Sequence, residues 1–203
     1  LGKKPDCIMI KGDYDGGQGN TYNWDVYTPD NDGTGGAGGR LKLNTADTRQ
    51  TVAQPFRVEP TSTVWSQTQG GWYDAGSNNI AYCWTAIEGY SSFGYYNGLS
   101  NTHLMINTGF QPKFVVIKPN AGSSPGTGWR VFDKVRSPNN NQGTDNAMYW
   151  DLNNAHVAQN GVDLHSNGFS VYGQGDTNLN ASGTSYFYMA FAEIPDEFAR
   201  GTG

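Results

Sequence analysis

The 203-residue chain contains 28 Gly and 20 Asn, nearly a quarter of its residues, whereas charged residues make up only 15%. Gly and Asn adopt positive φ angles at little cost, so this composition indicates many tight turns. The 13% of aromatic residues argues against a disordered chain. The net charge of −5 argues against a nucleic-acid-binding protein, which needs a basic face. Turns and aromatic residues together predict an all-β protein.

The chain also lacks the apolar segments that target or anchor a protein. No apolar run approaches the roughly 20 residues of a membrane-spanning helix, so we expect no membrane insertion. The segment after Leu1 lacks the longer apolar run of a signal peptide. The first residue is not Met, which favours a fragment or a processed form of a longer protein.

Five sequence blocks occur twice in the same order, which indicates an internal duplication. The offsets are 107, 105, 109, 106 and 106 residues, a drift that loops of different length would produce. Each block alternates apolar and polar residues or forms a short apolar run, as β-strands do. We therefore predict two tandem copies of an antiparallel β-sandwich or jelly-roll-like unit with long Gly/Asn-rich loops. The paired blocks are 4–11 and 111–118, 23–27 and 128–132, 43–44 and 152–153, 56–58 and 162–164, and 81–86 and 187–192.

The two copies differ at their beginnings. We place the first repeat at residues 1–92 and the second at 93–203. A predicted hairpin over residues 94–107 precedes the first block of the second copy and has no counterpart in the first. We expect the first copy to lack one or two strands, or a longer parent protein to supply them. The one helix candidate is the segment 195–199, which begins with Pro.

The second copy carries the motifs of a known repeat. In order, these are Phe110–Lys118, Trp129–Asp133, Ser166–Phe169 and Tyr186–Ala192, and they resemble a repeat common in tail-fibre and other virion proteins of tailed bacteriophages. The first copy resembles it less, because Thr61–Val64 stands where the motif has Ser-Asn-Gly-Phe. The resemblance implies a virion structural or adhesion component at the tail or particle surface, assembled in the host cytoplasm, with no defining catalytic motif.

The two cysteines are predicted to be structural. The repeat alignment matches Cys7 with Phe114 and Cys83 with Met189. Positions that accept Phe or Met are buried apolar sites, so we predict two core thiols. A disulfide between them is the alternative.

The spacing of the histidines does not predict a metal site. Three histidines lack repeat counterparts and metal-ligand spacing, so we predict exposed or edge-strand side chains rather than zinc ligands. They are His103, His156 and His165. Two acidic pairs before Gly make calcium an alternative, although such sequences are also ordinary turns. Their candidate ligands are Asp13, Asp15, Asp30 and Asp32. We expect no other cofactor.

A catalytic carboxylate pair is not expected. Glu59, Glu88 and Glu193 are the Glu residues near apolar strands, and the last two occupy similar places in the two copies. Duplicated acids favour a repeated strand end or ion pair over the asymmetric acid and base of a glycosidase. The nucleophile-elbow, Walker and zinc-protease motifs are missing from the sequence, so we predict that the protein is not an enzyme.

Aromatic residues supply the best candidate ligand site. Trp24 and Tyr82 have aromatic counterparts in the second copy, Trp129 and Tyr188, so we assign all four to the scaffold. Aromatic residues without counterparts, next to Gly, Asn or Asp, are candidates for stacking on sugar rings. These candidates, with one neighbouring carboxylate, are Trp72, Tyr73, Asp74, Tyr90, Tyr95 and Trp150.

The leading hypothesis is a non-enzymatic tail-fibre or appendage domain that supports host attachment and binds a surface glycan. The alternative is a capsid decoration or fibre-shaft module without a ligand, whose aromatic residues pack in subunit contacts. A polysaccharide-degrading enzyme is the third and weakest hypothesis. In the first two cases we expect a homo-oligomer in contact with other virion proteins.

Overall fold

The computed structural model describes residues 1–12, 23–29, 40–50, 56, 58–66, 78–100, 103–121, 128–138, 140, 145–153, 157–159, 161–172 and 177–193. The predicted helix at 195–199 and most of the predicted loops lie outside these ranges. Within them the chain forms thirteen strands and the four-residue helix α1 (Thr177–Asn180), which the sequence did not indicate. The strands are β1 (Cys7–Gly12), β2 (Asp25–Tyr27), β3 (Leu41–Lys42), β4 (Asn79–Trp84), β5 (Ser91–Asn97), β6 (Leu104–Asn107), β7 (Pro112–Ala121), β8 (Arg130–Asp133), β9 (Asp145–Tyr149), β10 (Val157–Gln159), β11 (Val162–His165), β12 (Gly168–Val171) and β13 (Ser185–Ala192).

The strands form three sheets. The N-terminal sheet has the order β3-β2-β1-β4, the central sheet β10-β9-β8-β7-β13-β5, and the outer sheet β11-β12-β6. Neighbouring strands pair antiparallel in all three. The prediction of an all-β, antiparallel protein is confirmed.

The alternation of side chains along β1 explains how the sheets stack. Cys7 and Met9 point to one side, into an apolar core that also contains Val116 and Phe187 of the central sheet. Ile8 points to the other side, into a second core with Tyr27 and Phe56. The outer sheet packs on the opposite face of the central sheet. The core between the N-terminal and central sheets is called the shared core below.

The N-terminal and central sheets contain the same arrangement of four strands. The order β3-β2-β1-β4 in one corresponds to β9-β8-β7-β13 in the other. In the N-terminal sheet, Met9 lies opposite Val26 and Tyr82. In the central sheet, Val116 lies opposite Val131 and Met189. The backbone pairing is therefore equivalent at corresponding positions.

These pairings correct two of the five sequence blocks. Tyr82 occupies the place of Met189, one residue away from the predicted match with Tyr188. In the block after β3, Asn44 accepts a hydrogen bond from the backbone N–H of Trp24. Asp151 does the same for Trp129, so Asn44 corresponds to Asp151 rather than to Asn153. Such slips matter because a shift of one residue exchanges the two faces of a strand.

The slip also explains why one cysteine prediction is wrong. Cys7 is fully buried in the shared core, as predicted. Cys83 is exposed, because it lies on the edge strand β4 opposite Ile8 and faces away from the shared core. The two thiols are free and lie on opposite faces of the sheet, so the alternative of a disulfide between them is also wrong.

Polar contacts also join the central sheet to β3 and the turn after it, at the border of the shared core. The Trp129 indole is fully buried, and its Nε1–H donates to the backbone oxygen of Lys42 over 2.8 Å. The buried Lys118 Nζ lies 5.8 Å from the centre of the Trp129 ring and donates to the backbone oxygen of Thr45 over 3.0 Å. Asp151 lies 4.0 Å from the same ammonium group. The strand β3 and the turn after it are thereby fixed onto the central sheet.

Replacing Trp129 with Phe is expected to lower the free energy of unfolding by about 1–3 kcal/mol, because the Lys42 carbonyl loses its donor and a cavity opens in the shared core. Trp24→Phe is the matched control, since Trp24 occupies the equivalent position but is only half-buried. Urea unfolding would measure both changes. Equal losses in the two variants would contradict the assigned role of Trp129.

The buried lysine makes stability depend on pH. Burial lowers the pKa of Lys118 to about 8, although Asp151 and Asp47 act to raise it. Between that pKa and the ordinary value of 10.5, the unfolded chain binds more protons at this position than the native chain does, so stability rises with pH. From pH 8 to pH 10, the stability of the native sequence relative to Lys118→Met is expected to rise by about 2 kcal/mol. Urea unfolding of both proteins across this pH range would measure it, and parallel curves would contradict it.

Candidate functional site

Seven of the sequence-predicted ligand residues belong to parts of the chain outside the described ranges. Trp72, Tyr73 and Asp74 lie outside the described residues, and so do the four calcium candidates. The four are Asp13, Asp15, Asp30 and Asp32. A glycan site at residues 72–74 and a calcium site therefore stay predictions.

Tyr95 has a structural role. Its hydroxyl donates to Thr28 Oγ1 or to the backbone oxygen of Pro29, at distances of 2.5 and 2.7 Å. Its ring packs against Phe187 with ring centres 5.4 Å apart. Tyr95 thus ties β5 of the central sheet to the end of β2, and its hydroxyl is already engaged.

Tyr90 and Trp150 lie at opposite ends of one row of rings on the central sheet. Trp150 contacts Phe114, Phe114 contacts Phe191, and Phe191 contacts Tyr90, with ring centres 6.2, 6.2 and 6.4 Å apart. Phe114 and Phe191 pack against the shared core. Trp150 is 39% exposed and its ring also lies 6.0 Å from that of Trp129. Trp150 is the more exposed end of a row that mainly packs the sheets.

A second row of rings lies on the N-terminal sheet and is more open. Trp24, Tyr82 and Trp84 follow one another with ring centres 6.1 and 6.0 Å apart and ring planes inclined by 30° and 29°. Tyr82 is 47% exposed and the two tryptophans are half-buried. These three residues are called the ring row below. Trp24 and Trp84 also pack against the shared core, so Tyr82 is the most exposed of the three rings.

The backbone explains why these rings meet. Tyr82 and Trp84 are two residues apart on β4 and therefore share a face. β1 lies between β2 and β4, so the rings of Trp24 and Tyr82 meet across it. The rings face the same side as Met9, but β4 is an edge strand, so the central sheet does not cover Tyr82.

Polar groups adjoin one end of the ring row. The Asn44 side chain accepts a hydrogen bond from the Trp24 backbone N–H and donates to Asn23 Oδ1 over 2.8 Å. Lys11 Nζ lies 5.9 Å from the centre of the Trp24 ring. Amides and an ammonium group beside flat apolar rings are a suitable combination for binding hydroxylated ligands.

The central sheet contains a buried counterpart of this end of the ring row. Lys118 and Trp129 have the same ammonium-over-indole geometry as Lys11 and Trp24, at 5.8 and 5.9 Å. There the indole N–H and the ammonium group donate to oxygen atoms of the chain. Within the described residues, the Trp24 indole N–H has no hydrogen-bond acceptor.

Sequence reasoning missed this surface because of the alignment slip. Matching Tyr82 with the buried Tyr188 assigned it to the scaffold, whereas its true counterpart is Met189. The scaffold assignments of Trp129 and Tyr188 are confirmed by their burial, and Trp24 is half-buried and packs against the shared core, as a scaffold residue does. The assignment of Tyr82 is wrong, because this side chain is 47% exposed. The available signal was the spacing of Tyr82 and Trp84 on one strand face.

The Glu59 carboxylate has partners that stabilise its ionised form. Glu59 accepts a hydrogen bond from the Tyr27 hydroxyl over 2.6 Å and pairs with Lys4 at 2.7 Å. Burial acts to raise the pKa of Glu59, but these two partners outweigh it and lower that pKa. A catalytic acid needs the opposite shift. Glu193 pairs separately with Lys113, at 2.6 Å, and Glu88 is exposed.

The described histidines have local partners. His103 is exposed and contacts the Tyr172 ring edge-on, and His165 Nε2 lies 2.8 Å from Ser170 Oγ. His156 lies outside the described residues. Within the described ranges, His, Cys, Asp and Glu side chains form no group of three that could hold a metal ion. The helix in these ranges, α1, is also far too short to cross a membrane.

Comparison with known proteins gives one result. Neither the curated proteins nor the solved structures contain a match. A family model matches residues 1–195, a range that includes all thirteen strands and the ring row. The chain therefore belongs to the family described as Domain of unknown function (DUF7483).

Proposed function

We propose that the protein is a non-catalytic adhesion module of a virion appendage that binds a host-surface glycan on the ring row. The observation that carries the proposal is the line of three rings, Trp24, Tyr82 and Trp84, in which Tyr82 is exposed and the two tryptophans are half-buried against the shared core. The apolar faces of sugar rings stack on such surfaces, and their hydroxyls bind the neighbouring polar groups.

The polar neighbours match the requirements of a sugar ligand. The Asn44 amide donates to Asn23 Oδ1, and the Lys11 ammonium group lies 5.9 Å from the centre of the Trp24 ring. Hydroxyls and carboxylates of a neutral or acidic glycan accept hydrogen bonds, and the Trp24 indole N–H is a donor at this end of the ring row. Glu59, held ionised by Lys4 and Tyr27, has no role in bond cleavage under this proposal.

The proposal includes the fold interpretation and the virion location. We take the equivalent strand order of the N-terminal and central sheets as support for two tandem sandwich units, 1–92 and 93–203. The resemblance to tail-fibre repeats supports a location on the tail or particle surface, with other virion proteins as neighbours. A symmetric homo-oligomer would present several ring rows to one host surface, which raises the avidity of weak sugar contacts.

A second candidate is a structural module without a ligand. The exposed apolar side chains Ile80 and Tyr82 on β4, together with Trp150 on the central sheet, favour it, because such residues are suited to burial between subunits. In that case the ring row would be covered in the assembled particle.

A glycan array followed by titration calorimetry with the best ligand would test the leading proposal. Tyr82→Ala and Trp24→Ala are each expected to weaken binding at least about tenfold, because a stacking ring is lost. Trp150→Ala is the matched control, a ring of similar exposure on the other sheet, and should leave binding unchanged. Trp72→Ala tests the separate sequence prediction at residues 72–74.

Two outcomes would reject binding at the ring row. One is the absence of any ligand on a broad array of host-surface glycans. The other is a ligand whose affinity drops with Trp150→Ala or Trp72→Ala but not with Tyr82→Ala. Thermal unfolding of each variant would show that the fold is intact.

A further inference from the structure

The outer edge of β4 has an unusual composition for a sheet edge. Between Ile80 and Trp84, and within the described residues, β4 pairs with β1 on one side and with no strand on the other. Edge strands usually carry charged residues or Pro that prevent pairing with other chains. β4 instead exposes Ile80, Tyr82 and Cys83.

The same edge is occupied in the central sheet. β13 corresponds to β4, and it pairs with β7 on one side and with β5 on the other. The β5 strand lies antiparallel to β13, from Ser91 opposite Phe191 to Asn97 opposite Ser185. β5 therefore serves as a template for a strand on the corresponding edge of β4.

Residues of β4 are more exposed than their counterparts in β13, which has a strand on each side. Ile80 is 48% exposed, whereas its counterpart Phe187 is fully buried. Tyr82 is 47% exposed, whereas its counterpart Met189 is 3% exposed. In the central sheet, Tyr95 and Phe93 of β5 lie opposite Phe187 and Met189.

We propose that the edge of β4 is a docking site for one extended strand donated by a separate polypeptide, with the residue pattern of β5. The donated strand lies antiparallel to β4. By correspondence with β5, it places an aromatic residue beside Tyr82, another beside Ile80, and small residues beside Ala81 and Cys83. Backbone hydrogen bonds supply affinity and the alternating side chains supply selectivity, as in other cases of β-strand addition.

Side-chain size supports this pattern. In the central sheet, Gly94 lies opposite Tyr188, and a Cβ atom at Gly94 would come within 2.9 Å of the Tyr188 hydroxyl. The corresponding residue of β4 is Ala81, whose short side chain leaves more room. The site on β4 therefore accepts Ala or Ser where β5 requires Gly.

The test uses the full 203-residue chain and a fluorescein-labelled peptide with the sequence of residues 90–98. Fluorescence anisotropy is expected to show saturable binding with a Kd on the order of 100 μM or tighter. A scrambled peptide, and one with alternate backbone amides N-methylated, should not bind. Lack of saturable binding of the native-sequence peptide up to millimolar concentration would overturn the proposal.

Cys83 offers a test of register and face. In the proposed pairing the residue equivalent to Ser92 lies opposite Cys83, because Ser92 lies opposite Ala190 in the central sheet. A peptide with Cys at that position, supplied as its thionitrobenzoate mixed disulfide, should react with the Cys83 thiolate and release thionitrobenzoate. Peptides with Cys at the flanking positions should react at least about tenfold more slowly, because their side chains face the other side of the sheet. Equal rates at all three positions would overturn the pairing.

A variant outside the ring row separates this site from the glycan site. Ile80→Lys is expected to weaken peptide binding at least tenfold and to leave glycan binding unchanged, since Ile80 is exposed and is not one of the three rings. Unchanged peptide binding by this folded variant would overturn the proposal.

Analytical sedimentation of the chain alone tests whether a second copy of the chain occupies the edge of β4. A dimer that excludes the peptide would assign the edge to a second copy instead.

Discussion

The contact between the N-terminal and central sheets determines which surfaces the molecule exposes. Cys7 and Met9 on one side and Val116 and Phe187 on the other fill a core that neither sheet could form alone. Trp129 adds a buried hydrogen bond across the same contact. Because burial of apolar area is the largest favourable contribution to folding, this contact fixes how the sheets lie on each other.

The N-terminal and central sheets have equivalent strand pairing but different neighbouring strands and sheets. The candidate sites follow from that difference. The central sheet is covered on both faces, and its strand β13 has a neighbour on each side. The N-terminal sheet ends at β4, so Tyr82 and Ile80 remain exposed where their counterparts are buried. The same arrangement of a lysine over a tryptophan ring is fully buried at Lys118 and Trp129 and only half-buried at Lys11 and Trp24.

The repeated blocks predicted the strand content and the buried positions of Trp129 and Cys7, because periodicity and apolar character are local properties of the sequence. The exposure of Tyr82 and Cys83 does not follow from the repeated blocks. A slip of one residue assigned both to the wrong counterparts, and exposure at an edge depends on which strands are neighbours. The hydroxyl contacts of Tyr95 are also invisible to sequence reasoning, since they join residues more than sixty positions apart.

Both proposals require that the edge of β4 is open to solvent in the isolated chain. Hydrogen–deuterium exchange followed by mass spectrometry on the dilute protein tests this directly, by comparing residues 79–84 with residues 185–191. Slow exchange is expected throughout 185–191, where β13 bonds to two strands, whereas about half of the amides in 79–84 should exchange quickly because they point away from β1. Equal protection of the two segments would show that β4 is covered and would contradict the account.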